Sequence, residues 1–513
     1  MTPSPLRPFL PLRLRRGLAV VLAGLGIGLA LVPAAPVWAA RSHPNVDRHV
    51  LDAARLQQSA RVILVARGDL RTVQADLRWA GVTRTVDVPI AHGVSAELSP
   101  ALIDRFTSDA NVARIIYDAP VQLTDTAFNP VTLATVYSGV VGAVAGSTDE
   151  EGGAGRGVGI AVIDSGIAQH PDLQTRVIVS RNFNPNVSGT DDPYGHGTAV
   201  AGIIAGNGAS SGGHYIGIAP AANLINLRVN DGTGSAPTSA IMNAVLWAVQ
   251  HKNDYNIRVM NLSLLASVAE SYRTSPIDAA VEYAWLKGIV VVVAAGNRGR
   301  DSMLYAPAND PYVITVGATD DRGTLSTSDD TLASFSSYGV TQDGFVKPDL
   351  VAPGRHIITT LASGSAFALN HPTHLVDNGY IQLSGTSVAA PIVSGVAALY
   401  LGSHPWIAPG QLKSVLLGTA NRLTIPGSGA GYPDAHRARY GESYAGDANR
   451  GLQPNNYLQA LYLAAQHLTT LPVVSWDSVS WDSVSWDSVS WDSVSWSSVS
   501  WDSVSWDSVS WTN

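Results

Sequence analysis

Between Gly157 and Ala318, five predominantly apolar runs of strand length alternate with longer apolar segments of helical spacing. The runs are "VGIAVI", "NLINLRV", "IRVMNLS", "IVVVVAA" and "YVITVGA"; the intervening segments include "GTAVAGIIAG", "PTSAIMNAVLWAVQ" and "SPIDAAVEYAWLKG". A strand with one wet face alternates apolar and polar residues. These runs do not alternate, so each belongs to a strand buried on both faces. Joining such strands through helices makes the sheet parallel. The expected fold class is therefore α/β, a mostly parallel sheet flanked by helices. "LSGTSVAAPIVSGVAALYL" (Leu383–Leu401) reads as a further helix, buried all round and opening near Ser387. A hydrophobic share of 46% against 14% charged residues provides core for such layers.

Open parallel sheets gather functional groups at the carboxyl ends of their strands. "GIAVIDSGI" leaves its strand at Asp164, "DDPYGHGTAVAGIIAG" sets His196 just ahead of a helix, and "VVVVAAGN" ends at Asn297. Singly, Asp164 and Asn297 read as turn residues, His196 as a structural histidine and Ser387 as a helix cap. Together they supply what a weak hydroxyl nucleophile needs: a base, a carboxylate to orient it and an oxyanion donor. The chain has no cysteine, which excludes a thiol nucleophile, a cysteine–zinc site and disulfides. A formal net charge of −8 gives no signal for nucleic acid.

"AVIDSGI", "HGTAVAGIIAG" and "SGTSVAAP" resemble the three catalytic blocks of the subtilisin-like serine proteases, in that family's order of aspartate, histidine, serine. "AAGN" (Ala294–Asn297) is similar to its oxyanion segment, and "FSSYG" and "KPDLVAPG" match landmarks without chemistry. The resemblance covers roughly Gly157 to Ala420. It implies a serine endopeptidase that hydrolyses peptide bonds in proteins, with Asp164, His196 and Ser387 as the relay and Asn297 as oxyanion donor. "NDGTGS" and "NLSLLAS" resemble the strands that pair with substrate, which implies contacts from Gly232, Thr233 and Gly234 and from Ser263, Leu264 and Leu265. Ala295 and Gly296, both small, suggest a primary pocket open to a large apolar side chain. Three departures matter. Ala199 replaces a frequent second histidine outside the relay, and Leu265 stands where the family commonly has glycine. The loop "NGASSGGHYIGIAP" also lacks the asparagine-rich calcium loop of bacterial subtilisins. No metal ligand is carried over, no cofactor is required for the chemistry, and structural calcium stays unassigned. The serine-carboxyl proteases share the Gly-Thr-Ser block but would need glutamate for His196 and aspartate for Asn297. An idle binding protein or an adhesive surface protein would rest on the tail alone.

The flanks complete the expected plan. Residues 1–39 read as a signal peptide: four arginines, the apolar run "LAVVLAGLGIGLALV", then Val37 and Ala39 before a cleavage point. Residues 40–125 are expected to be an inhibitory propeptide, with "RVILVA" and "ARIIYDAPVQL" as strands and "SPALIDRFTSDANV" as a helix. Residues 126–156 form the connector, with maturation cleavage between Asp118 and Thr135. The peptidase domain spans 157–470, ending with the amphipathic "NYLQALYLAAQHL". Residues 471–513 are a "VSWDS" repeat holding eight of the 13 tryptophans. Its five-residue period rotates them off any single face, so the tail is not expected to build core; composition supports equally an attachment segment for a cell surface or polysaccharide and a disordered tail with no partner. The product is expected to be a secreted or surface-associated monomer, with its own propeptide as intramolecular inhibitor.

Overall fold

The computed structural model describes residues 45–123, 137–143, 153–377, 379–441 and 446–458, with two short strands at Trp476–Ser480 and Ser498–Ser500. The proposed signal peptide, the connector on either side of 137–143, most of "NYLQALYLAAQHL" and most of the repeat lie outside them. The chain divides at residue 42, and every described residue belongs to the unit that starts at His43.

The first described residues form a small α+β unit. Helix α1 (Arg48–Gln57) is capped by Asp47, and α2 (Leu70–Trp79) by Asp69. With α3 (Pro100–Thr107) they pack on four antiparallel strands: β1 (Ala60–Ala66), β2 (Thr85–Val88), β3 (Gly93–Leu98) and β4 (Val112–Tyr117), in the order β2-β3-β1-β4. The stretch "ARIIYDAPVQL" is not one strand. It breaks at Asp118, and the following β5 (Pro120–Leu123) leaves for another sheet. Proline has no N–H to give to a ladder, which suits Pro120 to the first position of a new strand. Tyr137–Val140 adds one short turn of helix, α4.

All five apolar runs become strands of one sheet: β6 (Gly159–Asp164), β8 (Asn223–Arg228), β10 (Ile257–Leu262), β12 (Val290–Ala294) and β13 (Ile314–Asp320). Three further strands complete the sheet: β7 (Val177–Asn182) at one edge, and β14 (Thr331–Leu332) and, past the short hairpin β15 (Gly339–Val340) and β16 (Val346–Lys347), β17 (Leu350–Pro353), both beside β13. Edge strand β7 is half exposed, so it lacks the continuous apolar signal. Pairing is parallel throughout β7-β8-β6-β10-β12-β13-β17; only β14 runs antiparallel. Helices α5 (His196–Ala205), α6 (Thr238–Gln250), α7 (Pro276–Leu286), α9 (Thr386–Ser403) and α10 (Pro409–Thr419) pack around it, with the short α8 (Ala366–Asn370) at its carboxyl end. Helix α9 is apolar and long enough to cross a membrane, yet every residue from Thr386 to Leu401 is buried against α5, β10, β12, β13 and β17.

Burial also encloses acids. Asp278 and Glu282, one turn apart on α7, meet Asp310 in the loop before β13, and all three are fully buried. Glu282 Oε2 accepts the Asn455 N–H at 2.7 Å. Burial pushes Asp310 up to about 7; burial, then the Asp310 charge, holds Asp278 and Glu282 well above the carboxylate range. For Asp310, a folded-state pKa raised above its unfolded value near 4 means that its stabilising contribution is complete below about pH 4. It is lost as pH rises through about 7. In a background that cannot cleave itself, Asp310→Asn should therefore gain melting temperature relative to its parent as pH rises from about 5 to 8. A difference independent of pH would show that the cluster does not titrate in this way.

Candidate active site

Asp164 ends β6 and His196 begins α5, and their side chains meet with His196 Nδ1 at 2.7 Å from Asp164 Oδ1, both residues buried. Gly197 permits this approach. A Cβ there would stand 2.2 Å from the Gly166 carbonyl oxygen and 3.1 Å from the Asp164 Cβ. The bond uses Nδ1 and so sets Nε2 on the far side of the ring, where a base would take a proton. Asp192 holds the helix start. Its Oδ1 accepts from the Gly195 N–H and the Ser165 hydroxyl, both at 2.7 Å, and its Oδ2 from the Thr198 N–H at 2.8 Å and hydroxyl at 2.7 Å. Two of these are N–H groups that a helix N-terminus leaves unpaired. Burial pushes the Asp192 carboxyl up, against the pull of those bonds. The Phe367 ring on α8 stands edge-on to the His196 imidazole, centroids 6.0 Å apart.

Ser387 is the second residue of α9, in the turn whose N–H groups carry the positive end of the helix dipole. Pro391, four residues on, has no N–H, so the Ser387 carbonyl loses its helical partner. Ser263 fills that vacancy by donating its hydroxyl to the Ser387 carbonyl at 2.9 Å, and Asn261 Nδ2 donates to Ser263 Oγ at 3.0 Å. The Ser387 hydroxyl itself has no hydrogen-bond partner among the described residues. In free serine hydrolases such contacts are often long and tighten only with substrate. Helices α5 and α9 pack against each other.

Asn297 follows β12. Its Oδ1 accepts both the N–H and the hydroxyl of Thr386 at 2.9 Å, and the Thr386 hydroxyl accepts the Gly296 N–H at 3.0 Å. With its oxygen held, the amide presents Nδ2, which is buried and without a partner among the described residues. A buried donor left unmatched costs about 1–3 kcal/mol, so one beside a helix N-terminus suits a charge that develops there during reaction. Thr386 and Asp192 are the positioning residues that sequence reasoning did not assign. Thr386 carried a signal in its place beside Ser387, and Asp192 in its place four residues before His196.

Strand β5 lies between β9 (Ser235–Pro237) and β11 (Leu264–Ala266), antiparallel to both. Gln122 faces Leu265 on one side and Ser235 on the other, while Leu123 faces Leu264 and donates its N–H to the Gly234 carbonyl at 3.1 Å. Among the expected groove residues, Gly234, Leu264 and Leu265 meet this strand, Ser263 meets Ser387, and Ala295 and Gly296 follow β12. The Gly232 and Thr233 N–H groups turn back to Asn230 Oδ1 at 2.6 Å and Asp231 Oδ1 at 2.9 Å, and the residues that would continue β5 opposite them lie outside the described ones. Asp118 fastens β5 from behind. It accepts the Ser239 N–H at 2.9 Å and hydroxyl at 2.8 Å in the first turn of α6, together with Arg61 Nε at 2.8 Å and the Ser95 hydroxyl.

Comparison with known proteins agrees with this geometry. The sequence pattern of the Subtilase family (Peptidase_S8) matches residues 155–444. Serine protease AprX of Bacillus subtilis (strain 168) is 44% identical over 271 residues, which is 51% of this chain and 61% of that protein. M-protease of Shouchella clausii (strain KSM-K16) is 34% identical over 331 residues, 64% of this chain and 74% of that protein. The crystal structure of fervidolysin from Fervidobacterium pennivorans superposes with a TM-score of 0.59 at 24% identity, over 75% of this chain and 62% of that one, a likeness of fold. With the family pattern covering more than half its length, and with the parallel sheet that the family is built on, the chain belongs to the subtilase family.

Proposed function

We propose that the chain is a secreted serine endopeptidase made as an autoprocessed zymogen. Ser387 attacks a peptide carbonyl while His196 Nε2 takes its proton, and Asp164 holds the imidazole tautomer and stabilises its cation. The Asn297 Nδ2–H and the Ser387 N–H receive the oxyanion. His196 then protonates the leaving amine, and water releases the acyl group by the reverse sequence. Two observations support this reading: the buried Asp164–His196 pair at the end of β6 and the start of α5, and the Asn297 amide bonded to Thr386, the residue before Ser387, with α5 and α9 packed together.

The small N-terminal unit supports the zymogen reading, because β5 already occupies the two edges that an extended substrate would use. Its occupation by the chain itself blocks the groove until the following connector is cut. The expected new amino terminus falls between residues 124 and 135, and the register of β5 favours the bond after Thr124. Purified active protein should react with a fluorophosphonate at Ser387, cleave casein and give that amino terminus on sequencing. Active protein that still begins near Ala40 would refute the zymogen reading. Failure to label Ser387 would refute the peptidase. The "VSWDS" tail is proposed as an attachment segment that catalysis does not need.

A further inference from the structure

The register of β5 tells which groove residue faces which substrate position. Val121, Gln122 and Leu123 lie opposite Ala266, Leu265 and Leu264. In a substrate that takes the same strand, the next residue toward the carboxyl end faces Ser263, the residue bonded to the Ser387 carbonyl. That residue is therefore the one whose carbonyl Ser387 attacks. Its side chain has one place to go. Strands β10 and β12 run parallel with Leu262 opposite Val293, so residues 263–265 and 294–296 continue side by side past the sheet. A side chain on the side of Ser263 and Leu265 would point toward the space between these two segments.

In this chain that space is already occupied. Residues two apart on a strand point to one side, so Leu265 shares the side of Ser263, while Leu264 points away. Leu265 Cδ2 comes within 2.9 Å and Cδ1 within 3.7 Å of the point where a Cβ on Gly296 would stand, and the residue is only 4% exposed. Ser337 Oγ lies 3.2 Å from the same point. Gly296 holds φ +99°, a left-handed conformation that glycine takes without strain, so its missing side chain leaves room that Leu265 fills.

We propose that Leu265 restricts the residue on the acyl side of the cut bond to small side chains: glycine, alanine, serine, threonine or valine. Its role rests on Ser387 being the nucleophile. The pocket that Ala295 and Gly296 alone suggest, open to a large apolar group, is closed by the opposite wall. Thr124, the residue after β5 in the sequence, is of the size this pocket admits. In hydrophobic pockets, a single methylene of misfit changes rates about 10- to 200-fold, and a benzyl group exceeds the space by several.

The test compares matured enzyme, Leu265→Gly and Leu265→Ala on tetrapeptide amides differing only in alanine or phenylalanine before the cut bond. Fluorophosphonate titration first counts active Ser387 in each protein and shows that each variant folds. The parent is expected to favour alanine over phenylalanine by about 100-fold in kcat/KM, and both variants to shift that ratio toward phenylalanine by at least about tenfold. A parent that cleaves phenylalanine as well as alanine, or variants that leave the ratio unchanged, would overturn the proposal while leaving the nucleophile intact. Absence of labelling in all three proteins would remove the nucleophile and this role of Leu265 together.

Discussion

Ser387→Ala is expected to lower turnover by about 10⁶-fold, the scale found when the nucleophile of a subtilisin relay is removed. The loss is this large because the relay acts as a unit: without Oγ, the Asp164–His196 pair has no proton to take and no acyl intermediate forms. Fold should survive. The features that seat residue 387 are the Ser263 bond to its main-chain carbonyl and the burial of α9, and neither uses the hydroxyl. The purified variant should therefore accumulate as uncut precursor, with circular dichroism like that of the parent and no fluorophosphonate labelling. Cleavage of casein by a variant free of contaminating protease would remove Ser387 from the chemistry.

Asn297→Ala is expected to lower kcat by about 10²–10³-fold with little change in KM, since an oxyanion donor acts on the transition state and not on the bound substrate. That range is the one found for the corresponding kind of donor in a subtilisin. Asn297 has a second duty, because its Oδ1 accepts two bonds from Thr386. Alanine removes the donor and both acceptances, so some of the loss could come from a displaced α9 start. Asn297→Asp separates the two: it keeps the oxygen for Thr386 and replaces the Nδ2 donor by a negative oxygen. It should keep the Thr386 contacts at a cost in stability from the unpaired buried carboxylate, and lose at least as much kcat as alanine does. If either variant keeps kcat within about threefold of the parent, the oxyanion is stabilised elsewhere.

The sequence alone pointed to the parallel sheet, because β6, β8, β10, β12 and β13 are predominantly apolar without strict alternation, the pattern of strands covered on both faces. It also determined where to look for chemistry, since Asp164, His196, Asn297 and Ser387 each stand where a buried element ends. These are local properties, written within a few residues of each site. Tertiary structure decided the rest. Asp118 splits one apolar stretch into β4 and β5 because its carboxylate is claimed by Ser239, far away in the chain. The Gly232 and Thr233 N–H groups are held by Asn230 and Asp231, a local turn that their glycine and threonine letters do not announce. Asp278, Glu282 and Asp310 become one proton-holding cluster only when α7 packs on the loop before β13. Leu265 comes to lie over Gly296 only because β10 pairs in parallel with β12. Strand and helix periodicities are set by neighbours in sequence, whereas pocket size and buried charge are set by which distant side chains come to share one volume.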